Sequence, residues 1–139
     1  MPRYLVVANQ TLGGGQLLSK VKEVAAAEPS TFHVLVPSTP PSDHAWLEAE
    51  ARSLAEERLR RALVRFAEMG VEADGEVGDE HPIDAIRDLL ERDEAFDAII
   101  LSTLPPGVSR WLRTDLVSRA GAFGIPVIHV VGQKEPAGV

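Results

Sequence analysis

Two hydrophobic periodicities alternate along the chain. Tyr4-Leu5-Val6-Val7-Ala8 is a short unbroken apolar run, the pattern of a strand buried on both faces. After Gly13-Gly14-Gly15, the residues Leu17, Leu18, Val21, Val24 and Ala25 recur at helical spacing as far as Pro29. Phe32 to Val36 predicts a second strand, stopped by Pro37. The stretch Pro37-Ser38-Thr39-Pro40-Pro41-Ser42-Asp43 reads as loop, with Ser42 or Asp43 placed to cap the next helix. That long helix is predicted from His44 to Met69, its apolar stripe made of Leu47, Ala51, Leu54, Ala55, Leu59, Ala62, Leu63 and Phe66. Its Glu48/Arg52, Glu56/Arg60 and Glu57/Arg61 pairs have the spacing of a solvated, mutually supporting charged face. Gly70 ends it, because glycine adopts the left-handed cap conformation cheaply.

Val71 to Val77 alternates weakly and predicts a third strand. Asp79 is placed to cap a helix with Pro82 in its first turn, where a missing N–H costs little. Ile83, Ile86, Leu89 and Leu90 are that helix's buried stripe. Ala98 to Leu101 predicts a fourth strand, and a loop containing Pro105-Pro106-Gly107 leads to a helix between Ser109 and Phe123. Gly124-Ile125-Pro126 turns the chain into a fifth strand, Val127 to Val131, and Gln133 to Val139 reads as a frayed tail. Apolar strands alternating with helices imply right-handed crossovers. The expected fold class is therefore α/β: one domain over residues 1–132, built on an open parallel five-stranded sheet with helices on both faces.

Composition narrows the function classes. The 139 residues carry a net charge of −7, which argues against a nucleic-acid partner, since neutralising a phosphate backbone calls for a basic face. Cysteine is absent, so disulfides, thiolate metal sites and cysteine nucleophiles drop out together. No apolar run approaches the ~20 residues needed to span a bilayer, and Met1 to Ala8 lacks the zones of a signal peptide. The expectation is cytoplasmic residence and no membrane partner. The histidines at 33, 44, 81 and 129 show no metal-ligand spacing, no metal is expected, and no hydrolase elbow surrounds Ser102.

In open parallel sheets, ligands sit beyond the carboxyl ends of the strands where strand order reverses. Three segments qualify. After the first strand come Asn9, Thr11 and the glycines around Gly14, read either as an anion cradle before a helix or as a plain tight turn. After the second come Pro37, Ser38 and Thr39. After the fourth, Ser102 to Thr114 gathers hydroxyls with Gly107, Ser109, Arg110 and Arg113. Capped by Ser109, a helix puts Arg110 and Arg113 on one face, where guanidinium groups can grip a phosphate in bidentate fashion; the alternative is pairing with Asp115 or surface carboxylates. Trp111 reads as a packing residue.

Taken together, these segments resemble the universal stress protein family from Tyr4 to Val131. Leu5-Val6-Val7-Ala8-Asn9-Gln10-Thr11 is similar to the family's opening strand, and Gly78-Asp79 with Pro82-Ile83-Asp84-Ala85-Ile86 to the start of its third helix. Ile99 to Ser118 takes the place of its glycine-rich phosphate loop, and Ile125-Pro126-Val127-Ile128-His129-Val130-Val131 that of its closing strand. The resemblance implies strand order 3-2-1-4-5, a homodimer joined through strand five, and ATP or another adenine nucleotide as ligand. It would place adenine near Val36 and Pro37, ribose near Asn9, and phosphates near Gly14, Ser109, Arg110 and Arg113, with Thr11, Ser102, Gly107 and Thr114 alongside. The sequence departs from the ATP-binding pattern. Ungapped, the loop's glycine positions hold Ser102, Pro105 and Asp115, followed by Leu116, and Asn9 replaces the family's aspartate. A nucleotide-binding module, a dimeric interaction protein without a ligand and a slow nucleotide hydrolase all remain open, with catalytic residues assigned to none.

Overall fold

The computed structural model describes residues 1–41, 45–92 and 95–133; the Arg113 side chain lies outside that description. So do the cap expected at Ser42 or Asp43, the helix start at His44 and the tail from 134 to 139. Five strands, β1 (Arg3–Val7), β2 (Thr31–Pro37), β3 (Glu72–Gly78), β4 (Ala98–Thr103) and β5 (Val127–Val131), form one sheet in the order β3-β2-β1-β4-β5. Every pairing is parallel. The helices are α1 (Gly15–Ala27), α2 (Glu48–Glu68), α3 (Pro82–Glu91), α4 (Arg110–Arg113) and α5 (Leu116–Gly121).

The two-residue repeat of the strands divides the core between the faces. Val6, Val34, Val36 and Ile100 point to the side where α1 contributes Leu17 and Val21 and α2 contributes Ala55, Ala62 and Phe66. Leu5, Val7, Leu35, Ile99 and Leu101 point to the other, against Ile83, Ile86 and Leu89 of α3 and Leu116 and Ala120 of α5. Each fully buried leucine, isoleucine or phenylalanine contributes ~1.5–3 kcal/mol, which makes the three central strands the anchor of the fold.

Several boundaries differ from the sequence reading, each for a local reason. The strand β2 continues through Pro37, whose missing N–H is tolerated as the last strand residue. The helix α2 starts at Glu48, with Leu47 exposed as its N-terminal flank and Glu50 reaching back to accept the Leu47 N–H at 3.0 Å. The helix expected between Ser109 and Phe123 is two pieces, because Asp115 takes a left-handed conformation at φ 56°. Asp79 accepts the His81 N–H at 2.8 Å, and His81 flanks α3 directly. On β3, Gly75 is required sterically: a Cβ there would lie 2.6 Å from both the Leu59 side chain and the Val34 carbonyl.

Candidate functional site

The order β3-β2-β1-β4-β5 reverses direction between β1 and β4, so the loops after these two strands diverge and leave a crevice. A cleft of about 510 Å³ opens there, within the size range of small-molecule sites. Asn9, Gln10 and Thr11 form its β1 side, and residues 102–105 and 107–111 its β4 side. Gly132 and Gln133, just past β5, close one end.

The two sides are joined across the sheet by hydroxyls. Thr11 Oγ1 and Ser102 Oγ lie 2.6 Å apart and both are buried. One of them donates to the other, which leaves the pair a second hydrogen for a further acceptor. Asn9 is also buried, and its amide is committed. Nδ2 donates to the carbonyls of Pro37 at 2.8 Å and Thr39 at 3.2 Å. Its Oδ1 accepts from Arg58 Nη1 of α2 at 2.6 Å. Asn9 thus ties the ends of β1 and β2 to α2. Sequence reading missed Arg58, since within the charged face of a long helix nothing marked it as turning inward.

The loop after β4 folds on itself. The N–H groups of Val108 and Ser109 both donate to the Pro105 carbonyl, and Gly107 sits at φ 93°, a region open to glycine. Ser109 is buried and caps α4 as expected, its hydroxyl accepting from the Leu112 N–H at 3.1 Å. Arg110 lines the cleft and donates from Nη1 to the Pro40 carbonyl at 3.0 Å. Trp111 packs on the α3/α5 side of the core and donates from Nε1 to Thr39 Oγ1 at 3.2 Å. These two bonds bridge the β2 and β4 loops.

The structure therefore brings Asn9, Thr11, Ser102, Gly107, Ser109 and Arg110 together around one cleft. The remaining expected residues lie elsewhere. Val36 is fully buried in the sheet core and presents no surface to a ligand. Pro37 is buried and takes part through its carbonyl bond to Asn9. Gly14 is covered by the chain beyond β5: a Cβ there would lie 2.8 Å from the Gln133 carbonyl. This glycine serves close packing of backbone on backbone. Gln133, expected in a frayed tail, is part of the cleft wall. Thr114 lines a neighbouring hollow behind Trp111, with its hydroxyl on the Trp111 carbonyl at 2.9 Å. The place expected for Arg113 in the cleft falls outside the described side chains. Asp115 is exposed and is not among the residues of the cleft wall.

The described histidines engage neighbours. His33 lies between Asp74 at 2.7 Å and Glu76 at 2.9 Å, and His129 Nε2 faces Thr103 Oγ1 at 2.9 Å. At the start of α3, Asp79, His81 and Asp84 place ligand atoms within 4.8 Å of one another on the exposed surface, a grouping that residue spacing had not suggested. Arg87 holds Asp84 at 2.7 Å.

Fold and site together define an open-sheet α/β protein with a cleft at its topological switch point. No family model matches the chain, and no curated protein does. Solved structures do match. A universal stress protein from Archaeoglobus fulgidus shares 18% identity over 94% of this chain and 93% of that one, with a TM-score of 0.64. The Archaeoglobus fulgidus universal stress protein in complex with dAMP shares 21% identity over 94% and 97%, at 0.59. A universal stress protein family protein from Arabidopsis thaliana with AMP bound shares 12% over 99% and 97%, also at 0.59. The fold of this chain is that of the universal stress proteins, in strand order and nearly end to end. Among the described residues, no helix is long and apolar enough to cross a membrane.

Proposed function

We propose that the chain is a universal stress protein-like binding module, without catalytic machinery of its own, whose cleft takes an adenine nucleotide or another phosphate-bearing small molecule in a regulatory role. One observation carries this reading. In a chain of net charge −7, the described residues of the cleft wall include no Asp or Glu and do include the Arg110 guanidinium. A neutral-to-positive cleft in an acidic protein favours an anionic ligand. The dAMP and AMP named with two proteins of the same fold support an adenine nucleotide as first choice. Thermal unfolding with AMP, ATP and related ligands tests it. A ligand present at 100 times its Kd raises stability by ~2.7 kcal/mol. No rise with any phosphate-bearing ligand overturns the proposal.

A second reading, a homodimer joined through β5 that works by protein contact, draws on the edge position of that strand. Val131 is 44% exposed, and Val127 and Ile128 are half-buried. Exposed apolar edge strands invite pairing with a second copy. Light scattering decides it, and a monomer at micromolar concentration sinks it.

A further inference from the structure

Resting on the reading of the cleft as a nucleotide site, we infer that it accepts a ligand with a single phosphoryl group, a nucleoside monophosphate, and discriminates against the corresponding di- and triphosphate. The reason is the number of donors the β4 side can supply. A polyphosphate is held by a succession of backbone N–H groups or by several cations. Here Pro105 and Pro106 have no N–H to give. Farther along the loop, Val108 N and Ser109 N are turned back onto the Pro105 carbonyl at 3.2 and 3.1 Å. Among the described residues of the wall, Arg110 is the one cation.

What the wall does offer matches one phosphoryl group. The Arg110 guanidinium has five N–H donors in a planar fork, of which one Nη1 bond goes to the Pro40 carbonyl, so an edge remains for bidentate contact. Ser109 uses its oxygen as an acceptor for Leu112 N and keeps its hydroxyl hydrogen. The Thr11–Ser102 pair has one hydrogen beyond their mutual bond. A phosphate monoester brings a charge of about −1.5 to −2, which one guanidinium and two hydroxyl donors accommodate. Each added phosphoryl group brings further negative charge into a protein already at −7, with no described cation of the wall to meet it.

Calorimetric titration of the full chain with adenosine, AMP, ADP and ATP, repeated on Arg110→Gln, tests the inference. Arg110 is exposed, and the melting temperature of the variant without ligand checks its folding. The expected order is AMP tightest, with adenosine, ADP and ATP each at least tenfold weaker, and a loss of tenfold or more in AMP affinity for Arg110→Gln. ATP or ADP binding as tightly as AMP overturns the inference while leaving the nucleotide site standing. Adenosine binding as tightly as AMP, or AMP binding unaffected in Arg110→Gln, also overturns it. Binding by none of the four removes the nucleotide reading itself.

Discussion

Thr11 and Ser102 meet hydroxyl to hydroxyl at 2.6 Å, 91 positions apart in sequence, at the seam where the loops after β1 and β4 part. Both side chains are buried, so neither can turn to bulk water if the other is removed. The contact fixes the floor of the cleft from both sides of the switch point. It also couples the one spare hydroxyl hydrogen of the pair to the position of both strands.

Ser102→Ala leaves the Thr11 hydroxyl buried beside a methyl group. The expected cost is ~1–3 kcal/mol, the penalty for an unmet buried polar group. Thr11→Val alone should cost a similar amount, and the double variant less than the sum, by ~0.5–3 kcal/mol of coupling. Urea denaturation of the four proteins measures this. Strict additivity would mean that the two hydroxyls do not interact in solution.

Asn9 is the residue where a carboxylate would be wrong. Its Nδ2 faces two carbonyl oxygens, and only its Oδ1 faces a cation, Arg58. In Asn9→Asp, two donated bonds become oxygen-to-oxygen contacts, against a gain of charge opposite one guanidinium. The expected outcome at neutral pH is a loss of about 1–3 kcal/mol. A variant as stable as the parent by chemical denaturation would show that the Arg58 pairing outweighs both lost bonds.

Gly14→Ala should be costly for a reason unconnected with phosphate. The new methyl would sit 2.8 Å from the Gln133 carbonyl and 3.1 Å from the Thr11 carbonyl, both backbone atoms that cannot rotate away. Displacing the strand-end segment costs ~1–3 kcal/mol and moves Gln133 out of the cleft wall. Melting temperature and nucleotide affinity should fall together. A stable variant with intact affinity would refute the packing role.

These positions mark how far the sequence could be read. Continuous apolar strands such as Leu5 to Val7 and Ile99 to Leu101 announce themselves, since burial on both faces leaves no room for polar residues. The Ser109 cap was equally legible, because the N-terminal preference for serine is a local effect. Long-range contacts were not. Nothing near Arg58 signals that one arginine of a charged helix turns toward Asn9, 49 positions away. A glycine beside a helix start looks the same whether a phosphate or a returning chain covers it, and Gln133 covers Gly14. Val36 carried the expectation of a ligand contact from the family resemblance, yet a strand's last residues alternate faces, and this one turns into the core.

Asp115 divides the predicted last helix and offers a prediction with the opposite sign. It holds φ 56° and ψ 42°, a region that costs an L-residue roughly 1–2 kcal/mol and glycine little. Its side chain is exposed and makes no capping bond to α5, so removing it sacrifices no cap. Glycine in turn has more backbone entropy to lose, ~0.5–1 kcal/mol. The balance favours Asp115→Gly by up to about 1 kcal/mol, a rise of roughly 2–4 °C in Tm for a domain of this size. Asp115→Val, with a β-branched side chain forced into the same conformation, should fall by more than that. Differential scanning calorimetry of the two variants checks the pair. If glycine lowered Tm and valine raised it, the chain would pass from α4 to α5 without the left-handed residue, and the two short helices would be one.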